Sequence, residues 1–170
     1  MKNKKLLIGF LVILFLLGLI GLVRALISGE RCSLSSNIEE GVQYKNVEYG
    51  FVFDLPDNWR GYSIVTGTWS GLDVSDNEQM RVTGPMVSIR SPLWTEEIPR
   101  QDIPILIVVS EQWNKLLADK LYIGAAPINP SELGRNDNYV FALPARYNFA
   151  FPEGFEEVDE ILKANSLRGL

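Results

Sequence analysis

The side chains best suited to chemistry crowd between Arg90 and Asp102. Arg90, Trp94, Glu96, Glu97, Arg100, Gln101 and Asp102 fall there, interrupted by Pro92 and Pro99 and followed by Pro104. A guanidinium can donate two parallel hydrogen bonds to a carboxylate, and an indole offers a flat face to a cation. The prolines fix φ and stiffen an irregular stretch, so these groups are presented from a loop. Two readings follow. In one, Arg90, Trp94, Arg100, Gln101 and Asp102, joined by Arg135 from further along, grip a small ligand or a partner peptide. In the other, the charges pair with each other and Trp94 covers the sheet edge; this buttressed loop is preferred.

Catalysis finds little support. The chain has no histidine, which removes the Ser–His and Cys–His arrangements, the commonest general base and the commonest zinc ligand. A hydrolase using carboxylates such as Asp102 or Glu97 ranks last. In Gly67-Thr68-Trp69-Ser70-Gly71 the serine stands one place off the nucleophile-elbow pattern. Asp73, Ser75 and Asn77 imitate a calcium loop, but Glu78 replaces its glycine and Gly84 its twelfth-position glutamate. No phosphate-cradling or dinucleotide motif is present. Neither a metal nor a cofactor is assigned. Glu39-Glu40 is a charge pair on a solvated, polar segment, and Glu156-Glu157 lies on the solvated face of a helix, where adjacent residues point apart.

The segment that decides the compartment lies at the start. Leu6–Val23 is an 18-residue run with no charge and no proline; as a helix it is about 27 Å long, close to the hydrocarbon thickness of a bilayer. Lys2, Lys4 and Lys5 precede it, against Arg24 and Arg31 behind, so the amino terminus is expected to stay in the cytoplasm while the rest crosses. The rival reading is a secretory signal cut after Ala25, although the run is longer than such signals usually are. Either way the folded part lies outside the cytoplasm. Residues 1–27 are read as anchor, 28–43 as a polar tether and 44–170 as one α+β domain. The single cysteine, Cys32, allows no internal disulfide; it is either an idle thiol or a crosslink between copies. From Cys32 onward 11 basic residues face 20 acidic ones, a net charge of −9, which argues against nucleic acid. The partners expected are the membrane, through Leu6–Val23, and another protein.

Val47, Tyr49, Phe51, Phe53 and Leu55 alternate with mostly polar or small residues, the period of a half-buried strand. Pro56-Asp57-Asn58 supplies a turn, and Tyr62–Thr68 a second strand expected to pair with the first as a hairpin. Residues 71–85, polar and ending in Gly84-Pro85, read as a surface loop. Met86–Ser91 reads as a short strand. Ile103–Val109 is continuously apolar, as a central strand buried on both faces would be. Ser110 is placed as the cap of a helix carrying Trp113, Leu116, Leu117 and Leu121 on one face, with Lys115 in water. Tyr122–Ala126 and Tyr139–Leu143 read as strands, 127–137 as a loop with one helical turn at Ser131–Leu133, and Phe155–Asn165 as a closing helix with an acidic front.

The opening run, Tyr49-Gly50-Phe51, Phe53, Leu55-Pro56, Asn58-Trp59 and Gly61-Tyr62, resembles the start of PsbP-like domains. That fold is shared with a Ran-binding eukaryotic protein of the Mog type. The resemblance implies an antiparallel sheet sandwiched by helices; its members have unlike roles, so it implies no function. The stretches Trp94–Ile105 and Ser131–Pro144 look similar to small membrane-anchored bacterial proteins. The expected fold class is α+β with a largely antiparallel sheet. The expected role is a membrane-tethered interaction or assembly module, with a small-ligand-binding domain as the alternative.

Overall fold

The computed structural model describes residues 41–170 apart from 77, 78 and 165. The Leu6–Val23 run, Cys32 and most of the tether lie outside the described residues. Among those described, no helix is long and apolar enough to cross a membrane. The elements in order are β1 (Val42–Asn46), β2 (Phe51–Leu55), a single 3-10 turn (Asp57–Trp59), β3 (Ser63–Asp73), β4 (Met80–Arg90), β5 (Ile103–Val109), α1 (Ser110–Leu117), β6 (Leu121–Ile123), β7 (Ser131–Arg135), β8 (Tyr139–Leu143), α2 (Phe155–Lys163) and β9 (Leu167–Gly169).

The apolar run Ile103–Val109 does what its composition demands. As β5 it lies inside a six-stranded antiparallel sheet of order β6-β3-β4-β5-β8-β7, and its alternate residues enter two different cores. Ile103, Ile105 and Ile107 join Phe51, Trp59 and Phe141 on one side. Leu106 and Val108 join Trp69, Trp113 and Leu116 on the other. The first core is closed by α2 and by a separate three-stranded antiparallel sheet, β1-β2-β9; α1 closes the second. The fold is sheet-rich α+β, as expected. A small sheet shares with α2 the cover of one face.

Several local expectations change. Val42 and Gln43 belong to β1, so the domain starts inside the stretch read as tether. The alternation in Val47–Leu55 breaks at a turn around Gly50, and β2 pairs with β1 and β9 instead of forming a hairpin with β3. The 71–85 loop shrinks to the few residues between Asp73 and Met80, because β3 and β4 form an 11-pair hairpin. Gly84 lies inside that hairpin because the Trp69 indole occupies the space a side chain would need. Pro85 falls one residue beyond the last β4–β5 pair, Met86–Leu106, where no ladder bond to β5 is required of it. Ser131–Leu133 belongs to an edge strand, β7, which carries a bulge between Glu132 and Gly134. Ser110 opens α1 without capping it; its hydroxyl donates to the Asn138 carbonyl. Leu117 is exposed, Leu121 leads β6, and Lys115 bonds Asp73 across to β3. On α2, Glu157 accepts from Asn58 and from the Trp59 indole, and Asp159 from the Tyr147 hydroxyl, so half of that acidic front is engaged.

Candidate functional site

Strand register assembles the first part of the site. Ile89 of β4 pairs with Ile103 of β5, so Arg90 and Asp102 stand side by side one step past the end of that ladder. Arg90 Nε donates to Asp102 Oδ1 at 3.2 Å and Nη2 to Oδ2 at 3.0 Å, the two-pronged geometry that a planar guanidinium favours. The chain turns sharply after Ser91, whose Oγ accepts from the Leu93 N–H at 3.2 Å. That turn brings Trp94 back over Arg90, with the guanidinium carbon 4.1 Å from the ring centroid. The carboxylate beside it raises the Arg90 pKa, so this cation is fixed.

A second loop is locked against the first. Arg100 pairs with Glu153, and the Gln101 N–H donates to the Glu153 carbonyl at 2.9 Å. The buried Gln101 amide donates to the Asp102 carbonyl at 2.7 Å and reaches the Tyr147 carbonyl at 3.5 Å. Tyr147 in turn bonds Asp159 of α2, and burial followed by that carboxylate pushes the phenol pKa well up. Arg100 Nε and Gln101 Oε1 are buried with no hydrogen-bond partner among the described residues. Arg146 and Phe151 hold left-handed backbone at φ 56° and 46°, a conformation that costs a non-glycine residue about 1 kcal/mol or more.

Between and beside these ties, the two loops expose Leu93 (62%), Ile98 (53%), Phe149 (75%) and Phe151 (65%). Four large apolar side chains thus stand mostly in water, Phe151 edge-on to Phe155, on loops joined to each other by an ion pair and backbone bonding. The first described strand starts at the same end of the domain, where the Tyr62 hydroxyl donates to the Gln43 carbonyl and Gly61 abuts Pro92.

Of the sequence candidates, Arg90, Trp94 and Asp102 come together, with Arg100 and Gln101 in the adjoining strap. Arg135 does not join them. It pairs with Glu132 on β7 and stands in register with Val140 and, through it, Val108. That places it roughly 20 Å along the strands from Arg90, at the other end of the sheet. No family model, curated protein or solved structure matches the chain. Function is therefore read from geometry alone.

Two grooves lie elsewhere among the described residues. The larger, about 460 Å³, runs between Pro56, Asn58 and α2; of its three acids, Asp54 and Glu157 are taken by Arg168 and by Asn58 with Trp59, which leaves Glu160 alone. The smaller, about 240 Å³, is an apolar slot beside Trp69 and Met86 with no charged group in its lining. Neither gathers groups for a reaction. Sequence reasoning gives Phe149 and Phe151 no role. Their signal was two aromatic residues next to Pro152, outside any apolar period.

Proposed function

We propose that the chain is a non-enzymatic module, tethered to the membrane through Leu6–Val23 with its domain outside the cytoplasm, that docks another protein on the loop end formed by residues 91–102 and 144–154. The observation that carries this reading is the exposure of Leu93, Ile98, Phe149 and Phe151 on loops that are held rigid. Exposed aromatic anchors in fixed geometry are what binding hot spots use, since little conformational freedom remains to be lost on docking. The guanidiniums support the same view. Arg90 and Arg100 are already paired with Asp102 and Glu153, so they act as buttresses of the face. The run Tyr49–Tyr62 supports a PsbP-like sandwich as the parent fold, which carries no role across with it.

A photo-crosslinking side chain at Phe149 of the full chain in its own membrane tests the proposal. One discrete protein adduct is expected, absent when the same probe replaces Leu117 on α1. Identical adduct patterns from the two positions would end it.

A second reading, a small-ligand site at the Arg100–Gln101 strap, draws on the unpartnered Arg100 Nε and Gln101 Oε1. A buried donor and a buried acceptor on neighbouring residues, each without a partner, invite a small polar guest. Thermal shifts across a metabolite panel, with Gln101→Leu as control, separate the two readings.

A further inference from the structure

We infer that the β3 edge is a pairing surface for a second copy of this chain, joined antiparallel across a twofold axis at Thr66. In the six-stranded sheet, β3 bonds β4 along its whole length, but it bonds β6 only through Gly71–Asp73. The Ser70 carbonyl accepts from the Gly124 N–H at 3.2 Å. This leaves Ser63–Trp69 without a neighbour on its outer side among the described residues, a seven-residue row of alternate N–H and C=O groups facing out.

Proteins protect such edges with charge, bulges, brevity or cover. The other edges here are protected. Strand β7 carries Glu132, Arg135 and a bulge, and Gly169 of β9 sits against its Arg135 carbonyl. Strand β6 has three residues, and β1 carries Lys45. The β3 edge has none of these devices. Between Arg60 and Asp73 the chain contains neither a charged residue nor a proline, and β-branched Ile64, Val65, Thr66 and Thr68 fill the free run.

A second copy is the occupant this composition fits. At a twofold contact each residue meets its own image or a near neighbour, so any charge on the edge would face a like charge. A domain with 11 basic and 18 acidic residues over 44–170, a net charge of −7, can pair with itself only where its charges are absent, and here they are. The nearest acid in the strand, Asp73, is neutralised by Lys115 at 2.9 Å. The free run is centred on Thr66. Antiparallel self-pairing about that residue sets Thr66 against Thr66, Ile64 against Thr68 and Val65 against Gly67, and keeps each pair on one face of the joined sheet. A seven-residue edge alone is a small interface, which a membrane tether strengthens by concentrating the copies in two dimensions. The inference does not depend on the loop face, which lies on other residues.

The test is oxidation of the full chain in native membranes, with Cys32→Ser removing the native thiol. Thr66→Cys is expected to give a disulfide-linked dimer, and Glu132→Cys on the β7 edge is not. A monomeric Thr66→Cys chain, or one linked to a different protein, would overturn the inference. Hydrogen exchange gives a second measurement without a variant. The outward amides of Ser63–Trp69 should exchange on the order of tenfold more slowly in concentrated than in dilute detergent-solubilised chain. Equal rates at both concentrations would count against self-pairing.

Discussion

Replacing Arg90 separates a buttress from a binding group. Methionine keeps much of the length and apolar stem of arginine but loses the two-pronged bond to Asp102 and the charge over Trp94. A hydrogen bond to a charged group contributes about 1.5–3 kcal/mol, and a partly exposed cation–aromatic stack about 0.5–1 kcal/mol. Water recovers part of this, because the Arg90 and Asp102 side chains are 27% and 22% exposed. The net loss expected for Arg90→Met is therefore about 2 kcal/mol, or roughly 8 °C in the unfolding midpoint of a domain this size. Asp102→Asn should cost a similar amount, and the double variant less than the sum, with a coupling of about 1 kcal/mol. Arg90→Lys, which keeps the charge but not the fork, should lose about half as much as Arg90→Met. Thermal unfolding of the solubilised full chain, followed by circular dichroism, gives all four values. If each single variant stays within about 0.5 kcal/mol of wild type and the coupling vanishes, the pair does not hold the loop and the case for a rigid face fails.

Further outcomes follow from the same structure. A Cβ at Gly84 would lie 2.4 Å from Trp69, whose indole N–H donates to the buried Ile107 carbonyl at 2.9 Å. Gly84→Ala should therefore cost about 3 kcal/mol in urea unfolding and shift the tryptophan emission; a loss below about 0.5 kcal/mol would show that the indole yields freely. The Ser75 hydroxyl lies close to Asp73 but outside hydrogen-bonding geometry; it, the Lys115 ammonium and the Ser75 N–H together hold the Asp73 pKa at about 2, below the ordinary 3.8. The folded state thus favours the carboxylate. The stability gap between wild type and Asp73→Asn should be constant near neutral pH, shrink as pH falls below about 4, and be gone below about 2. A gap that widens on acidification would reverse that sign. Phe149→Ser, at an exposed loop position, should change stability by no more than about 0.5 kcal/mol while abolishing the photo-adduct from a probe at Ile98; a large destabilisation would make Phe149 a core residue instead.

What was legible in the sequence was whatever a single local pattern specifies. Ile103–Val109 announced a strand buried on both faces because both of its faces meet a core. Phe155–Lys163 announced a helix because Val158 and Ile161 recur at its period. The near half of the β3–β4 hairpin was legible as the strands Tyr62–Thr68 and Met86–Ser91; its far half was hidden, since most of Ser70–Leu72 and Met80–Thr83 faces water and is held by ladder bonds that no residue type reports. Strand β7 was hidden for a related reason: Ser131–Arg135 is polar, and its strand character comes from β8 beside it. The three residues of β9 carry too short a pattern to read. At the site, the proline-stiffened loop was visible, but the meeting of Arg90 with Asp102 depends on β4–β5 register. The same register sends Arg135 to the far end of the sheet. Phe149 and Phe151 carry the exposed face without any periodicity, and only burial values distinguish them from core aromatics.

The docking face is tested most directly by labelling a single cysteine with a membrane-impermeant maleimide, in full chain carrying Cys32→Ser. At Leu117, 64% exposed on α1, Leu117→Cys should react from outside intact cells as readily as after solubilisation. Phe149→Cys should be protected in the intact membrane and become reactive once the chain is purified. Equal reactivity of Phe149→Cys in both states would contradict a docked loop end, and labelling of Leu117→Cys from the cytoplasmic side alone would contradict the tethered arrangement itself.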